Sequence, residues 1–259
     1  MNTTTRWALV TGASSGIGAA VARRLASDGY SLLLVARRAD RLASLESDLK
    51  TQFPAIETAY EAIDLSNIDA VATLSSAIAR RGIRINCLIN NAGVGAFGEF
   101  TTTGLSAQLA MIDLNCRRLV ELTHAIAQNM AKGDIIVHTA SIGAFNPAPY
   151  FGVYAATKAF VLSFSEAIGF ELASKGVQVV TLCPGPTTTE FNQVAGYQSR
   201  PEGGMPTQTP DEVADELMAG LRGNRALIIT GAANRRRLRF MQIMPRRLVV
   251  ALSGRVVKR

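Results

Sequence analysis

The stretch that most constrains this chain lies near its start. Trp7 to Val10 is a short apolar run that leads directly into Thr11-Gly12-Ala13-Ser14-Ser15-Gly16-Ile17-Gly18. Beyond it, Ala20, Val21, Leu25 and Ala26 recur at helical spacing until Asp28-Gly29 closes the segment. A strand, a glycine turn and a helix in this order form the first half of a nucleotide-binding unit. The glycines let the backbone approach a pyrophosphate. The helix N-terminus supplies free N–H groups and the positive end of its dipole. Glycines also simply make turns, so the placement between strand and helix carries the argument more than the spacing G-x-x-x-G-x-G itself.

The rest of the chain repeats the alternation. Ser31 to Ala36 is apolar enough for a strand buried on both faces, and a helix is expected from about Asp40 to Phe53. Further strands are expected over Ile56–Ile63, Asn86–Ile89, Asp134–Ala140, Val177–Cys183 and Ala226–Thr230. Helices are expected over Asn67–Arg80, Leu105–Ala131, Gly152–Lys175 and Asp211–Arg222. The pattern predicts an α/β fold: one doubly wound, Rossmann-like domain over 1–234, with about seven parallel strands and helices on both faces. Ligands in such folds lie beyond the carboxyl ends of the strands. The glycine turn, Arg37, Asp64, Asn91, Ser141 and Pro184 all fall at such ends.

Two of these ends speak to chemistry. A site for NAD usually places an acid after the second strand, to hold the ribose 2′-hydroxyl. Here Arg37-Arg38 follows, a pair suited to a 2′-phosphate, or else an ordinary solvated pair opening the next helix. The expected cofactor is NADP, with NAD less favoured. On the helix after the fifth strand, Tyr154 and Lys158 stand four residues apart and share a face. A free phenol has a pKa near 10, and a neighbouring ammonium is expected to lower it, which makes a proton-transfer group. Surface Tyr/Lys pairs are common, so the pair gains meaning from Ser141 and the cofactor turn.

The ordered set resembles the short-chain dehydrogenase/reductase family from about Arg6 to Thr230. It comprises Thr11 to Gly18, Asn90-Asn91-Ala92-Gly93, Asn115, Ser141, Tyr154-x-x-x-Lys158 and Pro184-Gly185. The resemblance implies hydride transfer between NAD(P) and a carbonyl or alcohol. It implies Tyr154 as general acid or base, Lys158 as the group that lowers its pKa and holds the nicotinamide ribose, and Ser141 as a hydrogen-bond partner of the substrate oxygen. Asn115 would hold a water linking Lys158 to solvent. The cofactor would meet Gly12, Ser14, Ser15, Gly16, Ile17 and Gly18, then Arg37 and Arg38, and Asp64 with Leu65 beside the adenine. Asn91, Ala92 and Gly93 would form its floor, with Pro184, Gly185, Thr187 and Thr189 at the nicotinamide end. Family members commonly form homodimers or homotetramers through the two long helices.

Composition narrows the rest. The three cysteines, Cys87, Cys116 and Cys183, lie in apolar segments without metal spacing, and read as reduced thiols of a cytoplasmic protein. No metal site is expected. His138 reads as a core residue and His124 as an ordinary helix residue. The net charge of +7 is local: residues 235–259 hold nine Lys+Arg and no acid, leaving 18 basic against 20 acidic residues elsewhere. In this extension Leu238, Met241, Leu248 and Leu252 fall near one helical face, broken by Pro245. Its expected use is to cover the body or a subunit interface, ahead of peripheral membrane contact. Nucleic-acid binding is not expected.

Ile142 to Phe151 and a lid at about 187–210 carry Phe145, Tyr150, Phe151, Phe191 and Tyr197. These aromatics either border a pocket for an apolar carbonyl compound or pack the loops against the body. The functional expectation is an NADP(H)-dependent oxidoreductase of an apolar carbonyl or alcohol, using Tyr154, Lys158, Ser141 and Asn115. A non-catalytic NADP sensor, or a membrane-peripheral reductase of a lipid-like ketone or oxoacyl compound, stand as alternatives.

Overall fold

The computed structural model describes residues 5–196 and 207–258. Its strands are β1 Trp7–Thr11, β2 Ser31–Ala36, β3 Thr58–Ala62, β4 Ile85–Asn90, β5 Ile135–Thr139, β6 Gln178–Cys183 and β7 Leu227–Ile229. They form one parallel sheet in the order β3-β2-β1-β4-β5-β6-β7. The chain winds outward from β1 to β3 and then returns to build β4 to β7 on the other side. This reversal opens a crevice at the carboxyl ends of β1 and β4.

Side-chain alternation explains the two layers. Ala8, Val10, Leu32, Leu34 and Ile89 pack with Val21 and Leu25 of α1 (Gly16–Ser27), Leu42 and Leu49 of α2 (Ala39–Gln52), and Leu217 in the helix Pro210–Arg222. The intervening Leu9, Leu33, Val35 and Leu88 face the opposite side. There they meet Leu74 of α3 (Ala70–Arg81) and Leu122 and Ile126 of the helix Leu119–Ala127. Every residue of β1 and β2 is buried, as their unbroken apolar runs require. Helix α8 (Pro210–Arg222) starts sharply because Thr209 and Glu212 cap it reciprocally and Pro210 occupies its first turn.

The long helix expected over 105–131 is interrupted. It consists of α4 (Leu105–Ile112), a π turn over Asp113–Arg118, and α5 (Leu119–Ala127). The π turn carries Asn115, which is buried. Its amide engages both backbone groups of Val94 and the Thr157 hydroxyl, and such local side-chain demands are where π turns occur. Helix α6 (Gly152–Ala173) carries Tyr154 and Lys158, and a short α7 (Phe191–Val194) follows β6.

The basic extension forms α9 (Ala232–Gln242) and α10 (Arg246–Lys258), separated at Pro245. Leu238 and Val249 are buried on the body, and Arg235 reaches Glu216 and the Ile229 carbonyl. Asn234 is buried beside Gly185, where a Cβ would collide with its amide. Among the described residues, no helix is long and apolar enough to cross a membrane.

His138 sits in β5 with no exposed surface, its ring nitrogens 2.8 Å from Ser165 Oγ and 2.9 Å from Thr123 Oγ1. Burial pushes its pKa down to about 3. The unfolded chain, with a histidine near 6.5, therefore takes up a proton that the folded chain refuses. Stability should fall as pH drops below about 6.5, with this residue contributing up to about 1.4 kcal/mol per pH unit. Urea unfolding between pH 7.5 and 5 should show a shallower pH slope in His138→Gln than in the parent. Equal slopes would reject the assignment.

Candidate active site

The site is built outward from Thr11, the last residue of β1. Its buried hydroxyl accepts the Asn91 N–H at 2.9 Å and the Ala92 N–H at 3.0 Å, and donates to the Ile89 carbonyl at 3.3 Å. Asn91 Nδ2 returns a bond to the Thr11 carbonyl, and Thr139 at the end of β5 donates to Asn91 Oδ1. Three strand ends are thus tied into one floor.

The glycine turn lies against this floor. Gly12 and Gly16 have φ of +67° and +55°, and a Cβ on Gly18 would collide with the Gly12 carbonyl. Ser15, at the N-cap of α1, makes no side-chain cap bond, so the first N–H groups of that helix keep their donors. Ile17 packs on the core. Arg38 leans over the turn, its guanidinium 3.1 Å from Ser14 Oγ and 2.8 Å from Ser15 Oγ. Free helix-terminal N–H groups, two hydroxyls and a guanidinium suit a phosphate-bearing cofactor. Arg37, by contrast, is exposed and makes no ion pair among the described residues.

The remaining cofactor positions are distributed along the same edge. Asp64 accepts from the Ser66 N–H and hydroxyl, and Leu65 is buried. Gly93 lies where a Cβ would come within 3.4 Å of Lys158 Nζ. Pro184 accepts the Ile142 N–H, Thr187 donates to the Gly185 carbonyl, and Thr189 approaches Gly16 through its methyl group.

The reactive end gathers Ser141, Tyr154, Lys158 and Asn115. Lys158 is buried and donates to the Thr139 carbonyl at 2.7 Å. Its ammonium lies 5.8 Å from the centre of the Tyr154 ring. Ser141 lies beside the Tyr154 hydroxyl, and its Oγ accepts the Gly143 N–H at 3.1 Å. The expected lowering of the phenol pKa is not present in the protein alone. Burial pushes Tyr154 up to about 12, although the Ser141 bond opposes it, and burial pushes Lys158 down to about 8. The Lys158 charge does not offset the desolvation of the phenol. At neutral pH the tyrosine is therefore a held proton donor.

Aromatic rings surround this donor. Phe191 and Phe151 lie 5.3 and 5.9 Å from Tyr154, and Phe97 lies 5.0 Å from Phe151. Tyr150, at φ +66°, accepts the Gly98 N–H through its carbonyl. Phe145 instead packs beneath with Ala140 and Val161, as the packing reading of these loops expects. Tyr197 and residues 198–206 of the expected lid lie outside the described residues.

Several participants were given no role from the sequence. Thr11 and Thr139 act through geometry that only the sheet order creates. Glu190 binds Arg38 at 2.7 Å and Arg41 at 2.6 Å, across 152 and 149 residues of chain. Those two arginines hold its carboxyl down to about 2. Phe97 follows a strand end, yet nothing in its spacing separates it from a packing residue.

Sheet order, glycine turn and reactive cluster together define a Rossmann-type oxidoreductase site for a nicotinamide cofactor. The short chain dehydrogenase family model matches residues 6–199, and the chain belongs to the short-chain dehydrogenase/reductase family. The chain is 35% identical to a sulfoacetaldehyde reductase of Chromohalobacter salexigens, over 80% of this chain and 85% of that one. A short-chain dehydrogenase from Sphingobium yanoikuyae in complex with NADPH superposes with a TM-score of 0.80 at 31% identity, covering 93% and 96% of the two chains. One from Burkholderia phymatum in complex with NAD gives 0.80 at 26%, covering 91% and 92%. A nicotinamide cofactor and action on an alcohol or carbonyl follow from this membership.

Removing the Thr11 hydroxyl takes the acceptor from the Ala92 N–H and leaves the Asn91 N–H with the Ile89 carbonyl alone, at 3.1 Å. Thr11→Val should lower unfolding free energy by about 2–3 kcal/mol, while Thr11→Ser should cost less than about 1 kcal/mol. Urea midpoints would decide it, and equal midpoints for the two variants would remove Thr11 from this role.

Proposed function

We propose that the protein is an NADPH-dependent reductase of apolar ketones or aldehydes, working through Ser141, Tyr154, Lys158 and Asn115. The observation that carries the reading is the convergence of Ser141, at the end of β5, with Tyr154 and buried Lys158, whose Nζ lies 5.8 Å from the Tyr154 ring centre and bonds the Thr139 carbonyl beside the floor formed by Asn91, Ala92 and Gly93. When bound, the nicotinamide supplies the hydride. The chain must then hold a carbonyl oxygen, stabilise its growing negative charge and give it a proton. Ser141 Oγ orients that oxygen, and Tyr154, protonated with its pKa near 12, donates the proton. Lys158 keeps a positive charge beneath the site and sits where the nicotinamide ribose would lie. Asn115 fixes Val94, next to Gly93, with its amide and leaves a lone pair of Oδ1 for a proton-relaying water.

The ring of Phe97, Tyr150, Phe151 and Phe191 supports an apolar substrate over a charged one such as the sulfonate of the Chromohalobacter relative. The cation beside Tyr154, Lys158, is buried and bonded to the Thr139 carbonyl at 2.7 Å. The NADP preference rests on Arg38. Glu190 now holds Arg38 and Arg41 as a carboxylate, and a 2′-phosphate would compete for the same guanidinium groups. Leu105, Leu109 and Ile112 expose one apolar face of α4, and Phe160 is exposed on α6, which supports a homo-oligomer through these helices.

NADPH consumption against ketones, aldehydes, oxoacyl thioesters and sulfoacetaldehyde tests the reading. Tyr154→Phe should lower kcat by about 10³-fold with an intact fold. Full activity in that variant would end the assignment. Reduction should decline as pH rises through about 8, where Lys158 loses its charge. A rate flat to pH 10 would contradict this role. In fluorescence titrations Arg38→Ala should weaken NADPH about tenfold and leave NADH unchanged, whereas Glu190→Gln should tighten NADPH selectively. Equal effects on both cofactors would overturn the 2′-phosphate argument.

A further inference from the structure

We propose that the outward faces of α9 and α10 form a docking surface for an anionic lipid bilayer. The two helices divide their residues cleanly. Asn234, Leu238 and Val249 face the body and are buried, Gly254 packs against Pro149, and Arg235 is committed to Glu216. The outer residues have no such commitments. Phe240 and Ile243 are 62% and 80% exposed, and Leu248 and Leu252 are 47% and 43% exposed on the next helix. Arg236, Arg237, Arg239, Arg246 and Arg247 lie among them and make no ion pair with any described residue.

Charge selects the occupant. Residues 235–259 carry nine Lys+Arg and no Asp or Glu, while the rest of the chain is near neutral. A second copy of this chain would bring the same arginines opposite themselves, which opposes self-pairing of this face. Nucleic acid would use the arginines but leave Phe240 and Ile243 against a polar backbone. Anionic headgroups with acyl chains behind them satisfy both residue types: guanidinium groups pair with phosphates while apolar side chains enter the headgroup boundary. Helices of 11 and 13 residues are too short to span a bilayer, so they lie along its surface. The inner side of α10 also walls an open cleft of about 540 Å³ with Phe100, Pro149 and Tyr150, which brings the aromatic end of the body next to the bound surface. The proposal does not depend on which carbonyl compound is reduced.

The test is co-sedimentation of the full chain with vesicles of phosphatidylcholine alone or of equal parts phosphatidylcholine and phosphatidylglycerol. Binding to the anionic vesicles should exceed binding to neutral ones by at least tenfold and weaken in 0.5 M salt. Phe240→Ser/Ile243→Ser should reduce it about tenfold with every charge intact. Arg246→Glu/Arg247→Glu should abolish the preference for phosphatidylglycerol. Circular dichroism and NADPH turnover should be unchanged in both, which separates failure to dock from failure to fold. Equal binding to both vesicle types would overturn the proposal, as would anionic binding indifferent to the Phe240/Ile243 change. Duplex DNA bound more tightly than vesicles would replace the bilayer with nucleic acid. Concentration-dependent self-association lost in the Phe240/Ile243 variant, without vesicle binding, would replace it with a second copy.

Discussion

Everything in this molecule hangs on a single hydroxyl at the place where the sheet changes direction. A parallel sheet that winds both ways from β1 must leave β1 and β4 diverging at their carboxyl ends. Thr11 joins the two sides there by accepting two N–H groups from the chain leaving β4. Without that acceptor the half-buried Ala92 N–H would lose its partner and the Asn91 N–H would keep only the Ile89 carbonyl. The same joint sets how closely the glycine turn approaches Asn91, and it holds the floor on which Lys158 and Asn115 close from the far side.

The reactive cluster shows burial and charge working against each other. Lys158 is buried and Tyr154 enclosed, so each is pushed toward its neutral form. A simple pairing rule, cation lowers phenol, omits this cost. The arrangement stores an uncharged tyrosine proton next to an ammonium that is close to losing its own. A bound cofactor and substrate would alter the charge of the cleft and with it this balance.

Much of the fold was legible because β1 and β2 are buried on both faces and so must read as unbroken apolar runs. Helices α6 and α8 began within a residue of their expected starts, since the loop before α6 and the Thr209–Glu212 cap leave local traces. The π turn at Asp113–Arg118 was not legible, because its cause is the distant Val94 backbone and Thr157. Of the two arginines after β2, the sequence could not say which would turn inward. Arg38 does, because Ser14, Ser15 and Glu190 converge on it, and Glu190 comes from the other end of the chain. Gly185 was read for its place near a cofactor. Its immediate constraint is Asn234, on a helix that the family pattern did not include.

The π turn has a consequence for how such a site can arise. Relative to an α-helix it is one residue too many, absorbed over six positions, with ordinary helix before and after. In crystal language it is a dislocation: the lattice on either side is intact and the misfit is confined to one core. Removing a single residue from Asp113–Arg118 would heal the dislocation and leave α4 and α5 presenting the same faces to the same neighbours. The healed chain would keep its architecture and lose the asparagine from its site. The buried amide that ties the Val94 backbone to Thr157 thus hangs on one extra residue in an otherwise regular helix.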